Sequence, residues 1–265
     1  MDILQLGRQM KREIKRYPNL AALGNSAAES ICALAVKCVN EHGVFSVALS
    51  GGNTPISLYE SLTGLPYETR MPWSHTHIFW GDERCVPSDH PDSNFGMASR
   101  SLISKVRIPP RNVHRIPGEV EPPEDAAATY EKTLREFFGS NLQGNTHSHA
   151  SSVGESFPSF DVILLGMGKD GHTASLFPGD EALEEEKRWM TAVRNPRCSP
   201  PVPRITLTLP VINRALCILF LVSGSGKGDV LHAILEDPDS AARLYPAARV
   251  VPDGRVVWFI DEETV

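Results

Sequence analysis

The sequence predicts an α/β fold: a layered, mainly parallel sheet flanked by helices, in one domain over residues 1–265. Three observations lead there. Short runs rich in Val, Ile, Leu and Phe are apolar nearly throughout, the mark of strands buried on both faces. Segments with helical spacing separate those runs, and that alternation builds a sheet covered by helices. Glycines and charged residues repeatedly follow the apolar runs, at the strand ends where open α/β sheets bind ligands.

The elements follow in order. Residues 19–39 set Leu20, Leu23, Ala27, Ile31, Leu34, Ala35 and Cys38 at helical spacing, with Asn25, Glu29 and Lys37 on other faces. Val44 to Leu49 is a β-favouring run that stops at a glycine pair, and Thr54-Pro55 opens the next helix with proline in a tolerated first-turn position. His77 to Trp80 reads as a second strand, Asp161 to Leu165 as a third, Leu216 to Val222 as a fourth and Val256 to Ile260 as a fifth. Helical patterns occupy Asp125 to Phe138 and Lys227 to Leu235. Residues 139–159, rich in Ser, Gly, Asn and His, read as an exposed flexible loop.

Composition narrows the function classes. A hydrophobic fraction of 41% and a charged fraction of 22% belong to an ordinary globular chain. The formal net charge of −6 argues against nucleic acid or a membrane surface as partner, since both call for a basic face. A local basic pocket for an anionic small molecule stays compatible with that charge. The 5 cysteines are odd in number and form no Cys-x-x-Cys pair, which points to reduced thiols in a cytoplasmic setting. Met1 to Arg16 has no apolar core of the kind a signal peptide needs, and the longest apolar run, Ala215 to Val222, is strand-sized. A cytoplasmic monomer is expected.

Four turns at strand ends carry the candidate chemistry. Ser50-Gly51-Gly52-Asn53-Thr54-Pro55 lets backbone approach a ligand and offers free N–H groups at a helix start, which suits phosphate; a tight turn using glycine for its dihedrals explains it equally. Asp82-Glu83-Arg84 reads as a surface ion network or, beside the glycine turn, as an anion fork through Arg84. Asn94 after a Pro-rich loop has the look of a helix cap.

Gly166-Met167-Gly168-Lys169-Asp170-Gly171 matches the dinucleotide pattern G-x-G-x-x-G, yet Pro178 and Gly179 cut short the helix that would receive a pyrophosphate. What remains is Asp170-x-His172, a carboxylate placed to orient an imidazole that takes a proton from water. A capping Asp and a half-buried His bonded to backbone explain the same residues. Ser223-Gly224-Ser225-Gly226-Lys227 fails the P-loop pattern because Gly228 follows the lysine, though Lys227 can still serve as a point charge. Cys85 lacks an evident base, Ser50 lacks the nucleophile-elbow pattern, and His147 with His149 reads as a solvated tract.

Taken in order, Ser50-Gly51-Gly52-Asn53-Thr54-Pro55, Trp80-Gly81-Asp82-Glu83-Arg84, Asp92-Ser93-Asn94 and the run Gly166 to Pro178 resemble the 6-phosphogluconolactonase family, with Arg204 to Thr208 and Lys227 completing the set. The resemblance covers about residues 20–260. It implies a Rossmann-like fold shared with glucosamine-6-phosphate deaminases, and hydrolysis of 6-phospho-D-glucono-1,5-lactone in the oxidative pentose phosphate pathway. By matching position, His172 is the expected general base and Asp170 its partner. Gly51, Gly52, Asn53, Thr54, Asp82, Arg84, Asn94, Gly168, Lys169, Arg204 and Lys227 form the expected substrate-binding set, and Arg194 or Arg197 could substitute among the cations. No cofactor and no metal are expected, since an ester carbonyl is already a good electrophile.

The rival within the fold is the deaminase, which carries a glutamate five residues after the motif histidine. Phe177 stands at that position here, and Arg84 stands where the deaminases place an aromatic residue. A non-catalytic sugar-phosphate sensor is a third reading. Such regulators usually carry a helix-turn-helix, for which the residues before 20 leave no room.

Overall fold

The computed structural model describes residues 12–141, 157–194, 196 and 198–264. His147, His149 and Arg197 lie outside the described residues, as does most of the loop expected over 139–159. Residues 139–141, expected in that loop, instead finish a helix.

A 6-stranded sheet forms the frame, built from β1 (Arg12–Tyr17), β2 (Phe45–Leu49), β3 (Thr76–Trp80), β5 (Val162–Leu165), β8 (Cys217–Val222) and β9 (Arg255–Asp261). Its order is β1-β9-β8-β5-β2-β3, and every pairing is parallel. All residues of β2, β5 and β8 are buried, in accord with their nearly unbroken apolar sequences. Phe220 and Trp258 stack across neighbouring strands at a centroid distance of 3.9 Å, a contact that adds about 1 kcal/mol beyond area burial. β1 departs from the sequence reading, which placed no strand before residue 44. Its segment REIKRY is charged, half-exposed and on the sheet edge, so no apolar run announces it; pairing with β9 organises it instead.

Helices cover the sheet. α1 (Leu20–His42) starts where the Asn19 side chain accepts from the Ala22 N–H at 2.9 Å, and ends at Gly43, whose φ of +84° supplies the left-handed cap. By length and hydropathy α1 could cross a membrane, but Leu23, Ala27, Ile31 and Ala35 are buried against the core, including α2 (Thr54–Thr63). α3 (Tyr67–Arg70) is a single turn, and α4 (Asn94–Ser101) and α5 (Pro123–Asn141) follow.

A second sheet was not expected. β4 (Asp82–Arg84), β7 (Arg204–Leu207) and β6 (Met190–Val193) pair antiparallel in the order β4-β7-β6, and α5 packs on β6 and β7. β4 and β7 are short strands with charged members and carry no clear period in sequence, so their pairing reveals them, whereas Met190 to Val193 is uncharged and strand-like by composition. α6 (Leu209–Asn213), α7 (Gly228–Glu236) and α8 (Pro238–Ala241) complete the helices of the described residues.

From β2 the chain first extends the sheet to β3, then returns to place β5 on the other side of β2. The crevice between β2 and β5 is therefore a topological switch point, where loops diverge and leave room for a ligand.

Candidate active site

A cleft of about 190 Å³ opens at the C-terminal ends of β2, β5 and β8. Ser50 to Pro55, Asp82, Arg84, Asn94, Gly168, His172, Arg204 and Lys227 line it. Residues from six separate stretches of sequence thus meet at one sheet edge. A larger hollow near Pro178, Leu244 and Tyr245 lies behind the turn that bears His172.

The His172 turn leaves β5 without entering a helix, which removes the receptor for a pyrophosphate and disposes of the dinucleotide pattern. His172 Nδ1 and Asp170 Oδ1 stand 2.6 Å apart, and the His172 N–H donates to the same oxygen at 3.2 Å. Both side chains are partly exposed. Partial burial works against the charged carboxylate, yet the hydrogen bond and charge of His172 hold the Asp170 carboxyl below its ordinary value. With Nδ1 committed to Asp170, Nε2 is the nitrogen available to a molecule in the cleft.

The turn is held from below. Gly168 N–H donates to the His172 carbonyl at 2.9 Å, and Thr173 Oγ1 donates to the Gly166 carbonyl at 2.8 Å. Ala174 takes a φ of +47°, a left-handed conformation that costs an alanine about 1 kcal/mol or more and is kept only where surroundings enforce it. The Ser175 hydroxyl donates to Asp82 Oδ2 at 2.6 Å, tying the β5 loop to β4. Phe177 is buried, 4.7 Å from the His172 ring and 6.0 Å from the Arg204 guanidinium.

On the opposite wall, Tyr59 pins the β2 end: its hydroxyl donates to the Ser50 carbonyl at 2.8 Å and accepts from the Ser50 N–H at 3.2 Å. Gly51 is required by contact, because a Cβ there would land on the Asn94 side-chain amide. Asn94 donates through Nδ2 to the Asp82 carbonyl at 2.9 Å, leaving its buried Oδ1 without a protein partner. The cap of α4 is Ser93, not Asn94. α2 begins after Asn53 with no side-chain cap; Pro55 has no N–H to offer and the Ile56 N–H donates to the Asn53 carbonyl at 3.2 Å, so what the helix start chiefly presents to the cleft is its positive dipole end.

Asp82-Glu83-Arg84 is not a surface ion network. Asp82 and Glu83 are buried, at 6% and 2% exposure. Glu83 accepts from the Arg84, Asn94 and Phe95 N–H groups at 2.8, 2.7 and 2.8 Å and so anchors α4; burial nevertheless pushes its carboxyl up. Only a carboxylate with several donors settles in such a place.

The cations divide. Arg204 is buried and donates through Nη2 to Cys198 Sγ at 3.0 Å and the Pro200 carbonyl at 3.1 Å, while burial lowers its affinity for a proton. Arg84 Nη1 donates to the Asp92 carbonyl at 2.5 Å. The Nε atoms of both arginines are buried without a protein partner. Burial lowers the Lys227 pKa, with Asp261 opposing that shift and Lys169 adding to it. Lys169, expected in the substrate-binding set, is exposed beside Gly226 and is not among the residues that line the cleft. Arg194 is drawn off to Glu124 through bonds of 2.8 and 2.7 Å and does not line the cleft.

Sequence reasoning overlooked Ser50 as a polar group of the site. Its buried Oγ has no partner and it lines the cleft; its place directly before the glycine pair was the available signal.

The family model for glucosamine-6-phosphate isomerases/6-phosphogluconolactonase matches residues 18–258. The 6-phosphogluconolactonase of a Synechocystis strain is 42% identical over 227 residues, 86% of each chain, and that of a Nostoc strain is 39% identical over 252 residues, 95% of this chain and 96% of the other. Among solved structures, 6-phosphogluconolactonase from Thermotoga maritima superposes with a TM-score of 0.76 at 32% identity, over 95% of this chain and 100% of the other. The enzyme from Trypanosoma cruzi reaches 0.80 at 30% identity, over 96% and 95%. A monomeric glucosamine-6-phosphate deaminase shares the fold at a TM-score of 0.71 and 19% identity, over 95% and 98%. With its sheet, its cleft and nearly its whole length matched, the chain belongs to the glucosamine-6-phosphate isomerase/6-phosphogluconolactonase family.

Proposed function

We propose that the chain hydrolyses 6-phospho-D-glucono-1,5-lactone to 6-phosphogluconate, the lactonase step of the oxidative pentose phosphate pathway, with His172 as general base. The observation that carries this reading is the 2.6 Å pairing of His172 Nδ1 with Asp170, which leaves Nε2 to a cleft molecule. The names of the relatives agree with it.

In this mechanism Nε2 takes a proton from water as its oxygen attacks the lactone carbonyl. Asp170 stabilises the imidazolium that forms. The tetrahedral oxyanion meets the guanidinium of Arg204, whose buried setting strengthens the attraction. The imidazolium then returns the proton to the departing ring oxygen, so water has been added across the ester bond and the base is regenerated. The phosphate rests on the uncapped first turn of α2 with Lys227 as a point charge. Asn94 Oδ1 and Ser50 Oγ are buried and unpartnered; the amide oxygen accepts from a sugar hydroxyl and the serine hydroxyl accepts from or donates to one.

The test is lactone hydrolysis measured above the spontaneous background, beside ammonia release from glucosamine 6-phosphate. His172→Ala is expected to lose at least about 100-fold in kcat. Near-normal turnover in that variant would sink the role of His172, and ammonia release without lactonase activity would overturn the substrate. Phe177 disfavours the deaminase, because an apolar ring packs on His172 where that chemistry places a carboxylate.

A further inference from the structure

At the opposite edge of the sheet, where β2 and β5 begin, a second cluster of reactive side chains lies apart from the cleft. Cys38 Sγ, His42 and Asp161 bring ligand atoms within 4.8 Å of one another. Cys38 and His42 lie one turn apart at the end of α1 and so share a face. Asp161 stands just before β5 and is 6% exposed. Its Oδ2 is saturated by the Ser46 N–H at 2.7 Å and the Ser46 hydroxyl at 2.8 Å, which fix the carboxylate. Its Oδ1 faces His42 Nε2 at 3.2 Å.

We propose that Cys38, His42 and Asp161 form a divalent metal site of the zinc class, structural in role and distinct from the hydrolytic cleft. Thiolate, imidazole and carboxylate are the three ligand types that zinc takes in proteins. A tetrahedral ion needs ligand atoms roughly 3.3–3.8 Å apart given bonds of about 2.0–2.3 Å; His42 Nε2 and Asp161 Oδ1 already stand 3.2 Å apart, and no separation in the cluster exceeds 4.8 Å. Ser46 supplies the outer support that orients a ligand carboxylate. Thiolate and carboxylate together cancel a 2+ charge, so the occupied cluster is neutral where it is buried. His42 is partly exposed and leaves a route for the ion and for a water as fourth ligand. On binding, the metal displaces the thiol proton to solvent; no electron is transferred.

The experiment titrates the full chain, stripped with chelator, with Zn²⁺ and then with Co²⁺. One equivalent of zinc is expected to bind and raise Tm by about 5 °C at saturating metal. Cobalt is expected to give a thiolate-to-metal charge-transfer band. Cys38→Ser should abolish that band and weaken zinc at least about 100-fold while lactone hydrolysis is unchanged. His42→Gln serves as a second variant should Cys38→Ser fold poorly, and it should weaken zinc likewise. His172→Ala controls for metal held in the cleft and should leave both band and stoichiometry intact. Absence of the cobalt band in the wild-type chain, or zinc binding lost in His172→Ala and kept in Cys38→Ser, would overturn the proposal.

Discussion

The His172 imidazole occupies the space that any side chain on Gly168 would need: a Cβ there would land on Nδ1 and Cε1 of His172 and 2.6 Å from Asp170 Oδ1. The glycine therefore sets the geometry of the pair from beneath, in addition to the N–H it donates to the His172 carbonyl. Gly168→Ala is expected to reduce kcat by about 10²-fold, the scale of a 1 Å misplacement, with Tm changed by only a few degrees. Kinetics beside a thermal melt check this. An alanine variant with full turnover would show that the pair does not need the contact.

In the proposed mechanism Asp170 orients and stabilises the imidazole and does not itself react. Asp170→Asn keeps the shape of the side chain but loses the charge that favours the imidazolium. We expect kcat to fall by about 10- to 1000-fold with KM nearly unchanged, because the lost interaction strengthens only as the imidazole takes a proton. A variant that raised KM alone would contradict the assignment.

Lys227 lines the cleft; burial and the charge of Lys169 lower its pKa, against the opposing charge of Asp261, which Ser223 and Thr264 hold by hydrogen bonds. If Lys227 holds the phosphate as proposed, Lys227→Met removes one charge-assisted contact worth about 1.5–3 kcal/mol, or roughly 10- to 100-fold in KM. Inhibition by inorganic phosphate should weaken in parallel, a readout independent of turnover.

Phe177 is 1% exposed between His172 and Arg204. Phe177→Ala removes a buried ring and is expected to cost about 3–5 kcal/mol, measured by denaturant unfolding. Phe177→Leu keeps most of the volume and should cost less than about 1.5 kcal/mol while lowering kcat, since the imidazole loses its flat neighbour. Equal losses of stability in the two variants would argue against this packing role.

Stability in mild acid is set partly away from the cleft. His77 Nδ1 and His114 Nε2 meet at 3.0 Å, and the His114 ring stacks on Phe79 at 4.4 Å. Burial first, then the charges of His114 and Arg111, push the His77 pKa down to about 4, and burial lowers that of His114. The unfolded chain binds these protons near pH 6.5, before the folded chain does. Stability is therefore full above about pH 6.5 and declines as pH falls towards 4, by about 1–2 kcal/mol for His77 after allowance for solvent screening. His77→Phe should flatten that slope in denaturant unfolding between pH 7 and 4.5.

The strands β2, β5 and β8 announce themselves, because burial on both faces leaves them apolar nearly throughout, with Ser46 in β2 bonded to Asp161. The Gly-Gly turn and the Asp170-Gly171-His172 turn were equally legible, since glycine and charge at a strand end mark a ligand edge. By contrast β1, with charged REIKRY, and β4, with Asp82-Glu83-Arg84, carry no period and form through their partners β9 and β7. That is why Glu83 reads as a surface charge in sequence and turns out to be the buried anchor of α4.

By itself the sequence determined the layered α/β class, through local composition and period, and its motifs carried a family resemblance that implied most of the residues lining the cleft. Only the tertiary structure decided which of them meet. It drew Arg194 away to Glu124, kept Arg204 and Lys227 in the cleft, and set the His172 pair over a glycine without a side chain. Those outcomes rest on contacts between residues far apart in the chain, whose energies no local pattern records.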